Sequence, residues 1–422
     1  MNKALLELSR RITRINKELS FFFLDVINPQ NMETEWNRAK KNQSVPNWTH
    51  IKTVDTKDFD FFKKEIQHAE NDLQSIQFQS HNYYEEHFQN QAIQLHKRIK
   101  GLYSLIKFYL ESDNHPSIEE RIDLSNTIFK FKDIDYKFYY KNALKDYDDV
   151  FNKYSEYPLL EKNLSGYEIL NQYQSFLKIE LYENKQLWDN INKDLSANTG
   201  EFIDSTRIFK IINQWKVKII PEVEPARARI TYKKKRIEIS PNRRFSHNDF
   251  LISMAHECIH LIIYTIFQVY NDIIPSIFNK GPLFIEEGLT TWGSSKLDQI
   301  YSISSPLEKF VKGNLTIGND SERMRRCILF IVDYLRYVEK WDFWEIYNHI
   351  IKEFKVPPPI VKNLLIRIDR IAFKDSQYYI GNFFISDLFN KVGINPVEFL
   401  TKCITNGMLY DTILFKNEAL KS

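Results

Sequence analysis

The spacing of apolar residues predicts that the first half of the chain is helical. From Lys3 to Ile27 apolar side chains recur every three to four residues, which is typical of an amphipathic helix, and Pro29 marks its end. The same pattern predicts helices at Lys57–Gln79, Tyr83–Glu111, Tyr136–Phe151 and Tyr167–Leu195. We therefore expect residues 1–200 to form a helical N-terminal region.

The pattern changes beyond residue 200. A helix is predicted at Phe202–Gln214, and alternating polar and apolar residues at Trp215–Ile220 favour a strand. Two more alternating runs, Ala226–Tyr232 and Arg236–Ser240, predict a β-hairpin. Helical patterns dominate the remaining sequence, so the predicted fold class is mainly α with a small β-sheet, an α+β architecture.

A long apolar helix is predicted directly after the hairpin. Ser246 and Asp249 have the spacing of a capping box at its start, and apolar residues continue to about Tyr270. Inside this helix, residues 256–260 read His-Glu-Cys-Ile-His. The helix therefore carries the strongest candidate chemistry in the chain.

This five-residue motif has the spacing of a zinc peptidase site. Residues four apart share one helix face, with Cβ atoms about 6 Å apart, so His256 and His260 can bind one zinc ion at roughly 2.0–2.1 Å. Glu257 lies beside that face, where it can take a proton from the attacking water and pass it to the leaving amine. Apolar neighbours predict burial, and Cys258 is expected to fill the core.

A catalytic zinc site needs a third protein ligand, and Glu287 is the candidate. It directly precedes Gly288, whose small size permits close packing of a second helix. The 26 residues between His260 and Glu287 leave room for the first helix to end and the chain to return. Glu286 is expected either to support a ligand or to face solvent.

Composition limits the classes of function. The net charge of +3 in 422 residues is weaker than the basic excess of a typical nucleic-acid binder. Three widely spaced cysteines argue against a disulfide framework and for a reducing compartment. The N-terminus lacks a signal-peptide pattern and no uninterrupted apolar run reaches about 20 residues, so no membrane span and a cytoplasmic location are expected. The oligomeric state is not predicted.

Four stretches resemble one family of zinc peptidases. They are Phe23–Ile51 with its Asn28-Pro29-Gln30-Asn31 and Val45-Pro46-Asn47-Trp48 motifs, Ala226–Ile239, Ile285–Thr290, and, more faintly, Phe343–Gly381. These stretches resemble the microtubule-associated tyrosine carboxypeptidase (MATCAP) family and its bacterial relatives, the QEGLA-motif proteins, among the gluzincin peptidases. The resemblance implies a gluzincin-like core, the ligand set already inferred, and removal of one C-terminal residue, with aromatic residues as candidates.

The chain departs from this family at three positions. The family has three residues between the glutamate and the second histidine, whereas two separate Glu257 from His260. Glu286 stands in place of the family's glutamine, and Thr290 in place of its alanine. The shorter spacing is the common metallopeptidase pattern, so these departures bear on the substrate and not on metal binding.

Basic residues suggest where a substrate carboxylate could bind. Eight of them lie between Arg227 and Arg244, opposed only by Glu238, and they would attract an acidic peptide or a free C-terminal carboxylate. A solvated hairpin tip is the alternative. The candidate substrate-binding residues are Arg244, Arg367, Arg370 and Tyr378. Surface ion pairs are the alternative for the arginines, and core packing for the tyrosine.

The sequence therefore predicts a zinc metallopeptidase, with residues 201–422 as the catalytic domain and residues 1–200 as a lid, a substrate-positioning region or a partner-binding region. The leading hypothesis is a metallocarboxypeptidase that acts on a peptide or protein C-terminal tail, with acidic tails as candidates and no nucleic-acid or membrane partner. An endopeptidase or isopeptidase with the same site is one alternative. A non-catalytic helical scaffold with a degenerate metal site is the other.

Overall fold

The structure is a computed structural model. It describes residues 7–8, 10–16, 18–19, 27–28, 32–46, 50–51, 56–75, 83–111, 117–129, 134–156, 164–176, 184–199, 205–219, 228–231, 235–239, 244–269, 283–300, 305–368 and 372–405. Most of these residues are helical. The predicted mainly α architecture with a small sheet is confirmed.

The helices, in chain order, are α1 (Met32–Asn42), α2 (Thr56–Ser75), α3 (Tyr83–Glu111), α4 (Ile118–Phe129), α5 (Tyr136–Tyr154), α6 (Gly166–Phe176), α7 (Lys185–Thr199), α8 (Ser205–Ile212), α9 (His247–Val269), α10 (Leu283–Ser295), α11 (Leu297–Ile300), α12 (Ser305–Tyr337), α13 (Phe343–Glu353), α14 (Pro358–Ile368), α15 (Ser376–Val392) and α16 (Pro396–Thr405). Helical residues also occur between residues 7 and 19.

The strands are β1 (Ile27–Asn28), β2 (His50–Ile51), β3 (Leu164–Ser165), β4 (Lys216–Ile219), β5 (Ala228–Thr231), β6 (Arg236–Ile239) and β7 (Arg244–Phe245). Strands β1 and β2 form one antiparallel pair, and β3 and β7 form another. The third sheet has the order β4-β6-β5, with β4 parallel to β6 and β5 antiparallel to it. The predicted hairpin and the predicted strand before it are therefore both confirmed.

Two predicted helices differ clearly from those observed. The helix expected to reach Ile27 stops earlier, because Ile27 already pairs with Ile51 in a short sheet. The single helix expected at Tyr167–Leu195 is two helices, α6 and α7. Asn184 is not helical, and its Oδ1 atom accepts a hydrogen bond from the Leu187 backbone N–H at 3.0 Å, so it caps a new helix there.

The chain divides into two compact units. Unit 1 contains Met1–Tyr157, Pro275–Pro282 and Arg325–Tyr379, and unit 2 contains Pro158–Ile274, Leu283–Met324 and Ile380–Ser422. Each unit is assembled from separated segments, whereas the predicted regions 1–200 and 201–422 divide the chain at one point. The assignment of different functions to those two regions stays a prediction.

Aromatic side chains build part of the core of unit 1. The Trp36 ring of α1 lies 5.1 Å from the Trp344 ring and 5.4 Å from the Tyr347 ring of α13, measured between centroids. The Trp344 indole N–H donates to the Ser44 carbonyl at 2.9 Å, so its polar edge is satisfied. These rings fill the gap between two helices with large, rigid surfaces.

The helix that carries the His-Glu-Cys-Ile-His motif lies in the core of unit 2. Helix α9 packs against α8, α10, β5 and β7, and Leu251, Met254 and Ile259 are fully buried. At its start, the Ser246 hydroxyl accepts a hydrogen bond from the Asp249 backbone N–H at 3.1 Å. The predicted cap and the predicted burial are both confirmed.

The length and composition of α9 would also suit a membrane span over His247–Ile266. However, 78% of that segment is buried inside the protein. A buried core helix has the same apolar composition, so α9 is weak evidence for a membrane span.

Gly288 in α10 lies where this helix comes very close to Gly381 in α15. A Cβ atom placed on Gly288 would lie 2.6 Å from the Cα atom of Gly381, and closer still to its carbonyl group. The atoms that this Cβ would meet are all backbone atoms of Gly381, so a side chain at Gly288 would require one helix to shift. The expectation that this glycine permits close packing is confirmed.

Gly288→Ala is expected to destabilise the protein by about 1–3 kcal/mol, because overpacking against backbone forces a helix to move. Urea unfolding of the metal-free protein measures this change.

Gly293→Ala, in the same helix, is the control. Its Cβ atom would clash with the end of the Ile259 side chain and lie at ordinary contact distance from Ile300, so side chains and not backbone would have to move. Alanine also favours a helix by about 1 kcal/mol over glycine, so the control should lose clearly less stability. Wild-type stability of Gly288→Ala would contradict this account.

Candidate metal centre

Three side chains from two helices converge in unit 2. His256 and His260 lie one turn apart on α9, and Glu287 lies in the second turn of α10. His256 Nε2 is 3.2 Å from His260 Nε2 and 3.2 Å from Glu287 Oε2. His260 Nε2 is 3.6 Å from the same carboxylate oxygen. Two imidazole nitrogens and one carboxylate oxygen therefore form a small triangle.

The size and chemistry of this triangle fit a zinc ion. Ligand atoms at roughly 2.0–2.1 Å from a tetrahedral zinc are about 3.3 Å from one another, close to the three separations seen here. Glu287 Oε2 is shielded from solvent, and no described residue donates it a hydrogen bond of good geometry, although two imidazole nitrogens lie 3.2 and 3.6 Å away. A buried carboxylate oxygen in that state is costly unless it meets a cation. The donor atoms, their spacing and the unsatisfied oxygen all suit a divalent metal.

Two further polar side chains contact these three residues. Glu286 Oε1 lies 2.9 Å from His260 Nδ1, and Glu286 is only 8% exposed. Thr290 Oγ1 lies 3.4 Å from His256 Nε2, and its hydroxyl is within 3.1 Å of the Glu286 carbonyl and 3.0 Å of the Glu287 carbonyl. From the sequence, the role of Glu286 stayed open and a contact from Thr290 was not predicted. Thr290 lies three residues after Glu287 on a predicted helix, and this spacing could have indicated that both side chains share one face.

The charges of the triangle are strongly coupled. Burial would raise the pKa of Glu287, but the neighbouring His260 charge holds this pKa well below its usual value. Burial would lower the pKa of His260, but the Glu287 charge and the hydrogen bond to Glu286 raise it well above its usual value. A metal that takes the His260 lone pair must therefore displace a proton.

Glu257, the predicted general base, follows His256 on α9 and is half-buried. One residue corresponds to about 100° of rotation around a helix, so the Glu257 side chain leaves α9 beside the face that carries the two histidines. This is where a residue that handles the protons of a nearby water is expected. Its catalytic role stays a prediction.

Arg367, a candidate for binding a substrate carboxylate, contacts a carboxylate of its own chain in unit 1. Its Nε and Nη2 atoms donate to the two Asp375 oxygens at 3.0 and 2.7 Å. Burial would raise the pKa of Asp375, but the Arg367 charge holds it below its usual value. The ion pair foreseen as the alternative is therefore present. A substrate carboxylate would have to compete with Asp375.

The other candidate substrate residues receive little structural support. Tyr378 is half-buried in α15, within unit 1, and its backbone N–H donates to the Asp375 carbonyl at 3.3 Å. Arg370 lies outside the described residues. Arg244 lies in β7, but its side chain is outside the described part. Their substrate roles stay predictions.

Only two side chains of the predicted basic hairpin fall within the described part of the chain. Lys235 binds the side chain of Gln214. Arg236 donates to Glu238 at 2.5 Å, and Glu238 is fully buried in β6. Both basic side chains therefore contact neighbours in unit 2, and a substrate surface on this hairpin stays a prediction.

No protein-family model and no curated protein sequence matches this chain. The chain is similar to a protein of known structure from Colwellia psychrerythraea that is provisionally described as a lipoprotein. The TM-score is 0.40 and the identity 11%, with 90% of this chain and 73% of that chain covered. So distant a likeness carries no conclusion about activity. The interpretation of the site therefore depends on its own geometry.

Arg367→Met is expected to destabilise the protein by about 1–2 kcal/mol at pH 7, because it leaves Asp375 as a buried carboxylate without its cation. This estimate allows for solvent screening on the exposed part of Arg367. The pKa of Asp375 is depressed in the folded protein. The stabilisation is therefore present above the unfolded pKa of about 3.9 and is lost as the pH falls through the folded pKa. Urea unfolding at pH 7 and at pH 3 measures the difference.

Lys391→Met is the matched control, because Lys391 forms an exposed i,i+4 pair with Asp387. Its removal should change stability by less than about 0.5 kcal/mol at either pH. Arg367→Met combined with Asp375→Asn should recover part of the loss, since the amide carries no buried charge. If Arg367→Met retains wild-type stability at pH 7 but weakens peptide binding, the stabilising role of Arg367 is contradicted and a role in substrate binding is supported.

Proposed function

We propose that the protein is a zinc-dependent peptidase in which His256, His260 and Glu287 bind the metal. The observation that carries this proposal is the meeting of their three ligand atoms within 3.2–3.6 Å of one another. A motif helix that supplies two histidines and a second helix that supplies a glutamate are the arrangement expected of a gluzincin-like core. A structural zinc site would normally have four protein ligands, whereas three meet here among the residues that the structure describes, which leaves a position for water.

Each residue has a distinct role in the proposed reaction. His256, His260 and Glu287 would hold a zinc ion, which would supply a Lewis acid to polarise the scissile carbonyl and lower the pKa of water. Glu257 takes a proton from the attacking water and passes it to the leaving amine. The apolar surroundings of α9 limit bulk water, which strengthens electrostatic interactions at the site. This mechanism requires no covalent bond between enzyme and substrate.

We further propose that the substrate is the C-terminal tail of a peptide or protein, from which one residue is removed. This part depends on the resemblance to the tyrosine carboxypeptidase family, which also makes aromatic residues and acidic tails the first candidates. Cys258, Cys327 and Cys403 are all buried. Three widely spaced cysteines suit the reducing conditions of a cytoplasmic location. Cleavage within a chain or at an isopeptide bond would use the same metal chemistry.

The purified protein is expected to bind one zinc ion per chain after dialysis against trace zinc, measured by inductively coupled plasma mass spectrometry. Replacing a ligand, as in His260→Gln, should lower zinc affinity by about 100-fold or more, beyond the loss typical for outer-sphere partners. His247→Gln is the control, because His247 stands at the start of the same helix. Zinc affinity unchanged by His260→Gln would remove the basis of the proposal.

Glu257→Gln is expected to retain zinc but lower peptide hydrolysis by about 10²–10⁴-fold, because glutamine cannot accept the proton of water. Mass spectrometry of a peptide library digested by the wild type and by this variant measures both rate and cleavage position. Trimming of single C-terminal residues by the wild type alone supports a carboxypeptidase. Internal cuts indicate an endopeptidase instead. No cleavage by the zinc-loaded wild type would contradict a peptidase and favour the scaffold alternative.

A further inference from the structure

Glu286 is a buried carboxylate whose contact is specific to one ring nitrogen. Its Oε1 atom lies 2.9 Å from Nδ1 of His260, while Nε2 of the same ring faces His256 and Glu287. The Glu286 side chain is 11% exposed and that of His260 is 9% exposed, so water competes little for this hydrogen bond. The two nitrogens of one imidazole therefore face two different partners.

We infer that Glu286 is a positioning residue, which acts on the metal through His260. This inference rests on the proposed function. With Nδ1 protonated and donating to Glu286, the lone pair of His260 is held on Nε2, the nitrogen that faces the other two ligands. Without an acceptor at Nδ1, the neutral ring can adopt the other tautomer or turn. Either change removes the Nε2 lone pair from the triangle.

The same turn of α10 supplies both the ligand Glu287 and this support for a second ligand. Thr290 ties that turn together, since its hydroxyl lies within hydrogen-bond distance of the Glu286 and Glu287 carbonyls.

The test compares Glu286→Leu with Glu286→Gln. Leucine has a similar volume but no acceptor, whereas glutamine keeps an oxygen that can accept from Nδ1. Zinc affinity is measured by competition with a chromophoric chelator, and the visible absorption of the cobalt-loaded protein reports ligand geometry. Glu286→Leu should bind zinc about 10–100-fold more weakly than the wild type, with an altered cobalt spectrum. Glu286→Gln should stay within a few-fold of the wild type, with an unchanged spectrum.

Urea unfolding of the metal-free variants separates positioning from a general loss of structure. Tight zinc binding by the wild type and equally tight binding by Glu286→Leu would overturn this inference and leave the proposed function standing. A wild type that binds no zinc would overturn both. Equal losses in the leucine and glutamine variants would also overturn it, because glutamine retains the acceptor.

A second measurement applies if Glu286→Leu does not fold. Nitrogen-15 resonances of histidine rings distinguish a protonated nitrogen from a metal-bound one. In zinc-loaded wild type, His260 should show a protonated Nδ1 and a metal-bound Nε2. Metal binding through Nδ1 would overturn the assigned role of Glu286.

Discussion

The close approach of α10 to its neighbours is the constraint on which the candidate site depends. One helix is enough to align His256 and His260, but Glu287 reaches them only if the backbone of α10 is held nearby. Gly288 allows this, since any side chain there would collide with Gly381. Ligand separations of 3.2–3.6 Å leave little tolerance for a shift of either helix. The packing of α10 beside the ligand Glu287 therefore helps to set the geometry of the ligand atoms.

Two buried carboxylates in this protein illustrate two ways to compensate charge. In unit 1, Asp375 receives two hydrogen bonds from Arg367, a cation that the chain itself provides. In unit 2, Glu287 faces two imidazole nitrogens, yet no described residue donates a hydrogen bond of good geometry to its Oε2 atom. Buried charges are costly without partners, so the second arrangement is the one that a bound cation would complete.

The proposed hydrolytic reaction needs more than a set of metal ligands. Under that proposal, the three ligands found among the described residues leave one position for water, and a carboxylate follows the first histidine on the same buried helix. The polar groups around the ligands are also organised: Glu286 contacts His260, and Thr290 lies beside His256. The residues that would contact a substrate outside the metal centre are not fixed by the motif at residues 256–260.

The sequence by itself determined the local features of this protein. Periodicity predicted α3 with its observed bounds and the hairpin of β5 and β6, and spacing alone predicted that His256 and His260 share a helix face. These features depend on interactions between residues close in the chain. Tertiary structure decided the rest: that Glu286 meets His260, that Thr290 stands beside His256, and that Arg367 is engaged by Asp375. The first two pairings join residues on different helices, whose distance is set by how the helices pack. The third depends on the turn that brings Asp375 back towards Arg367. No local pattern of apolar and polar positions encodes either.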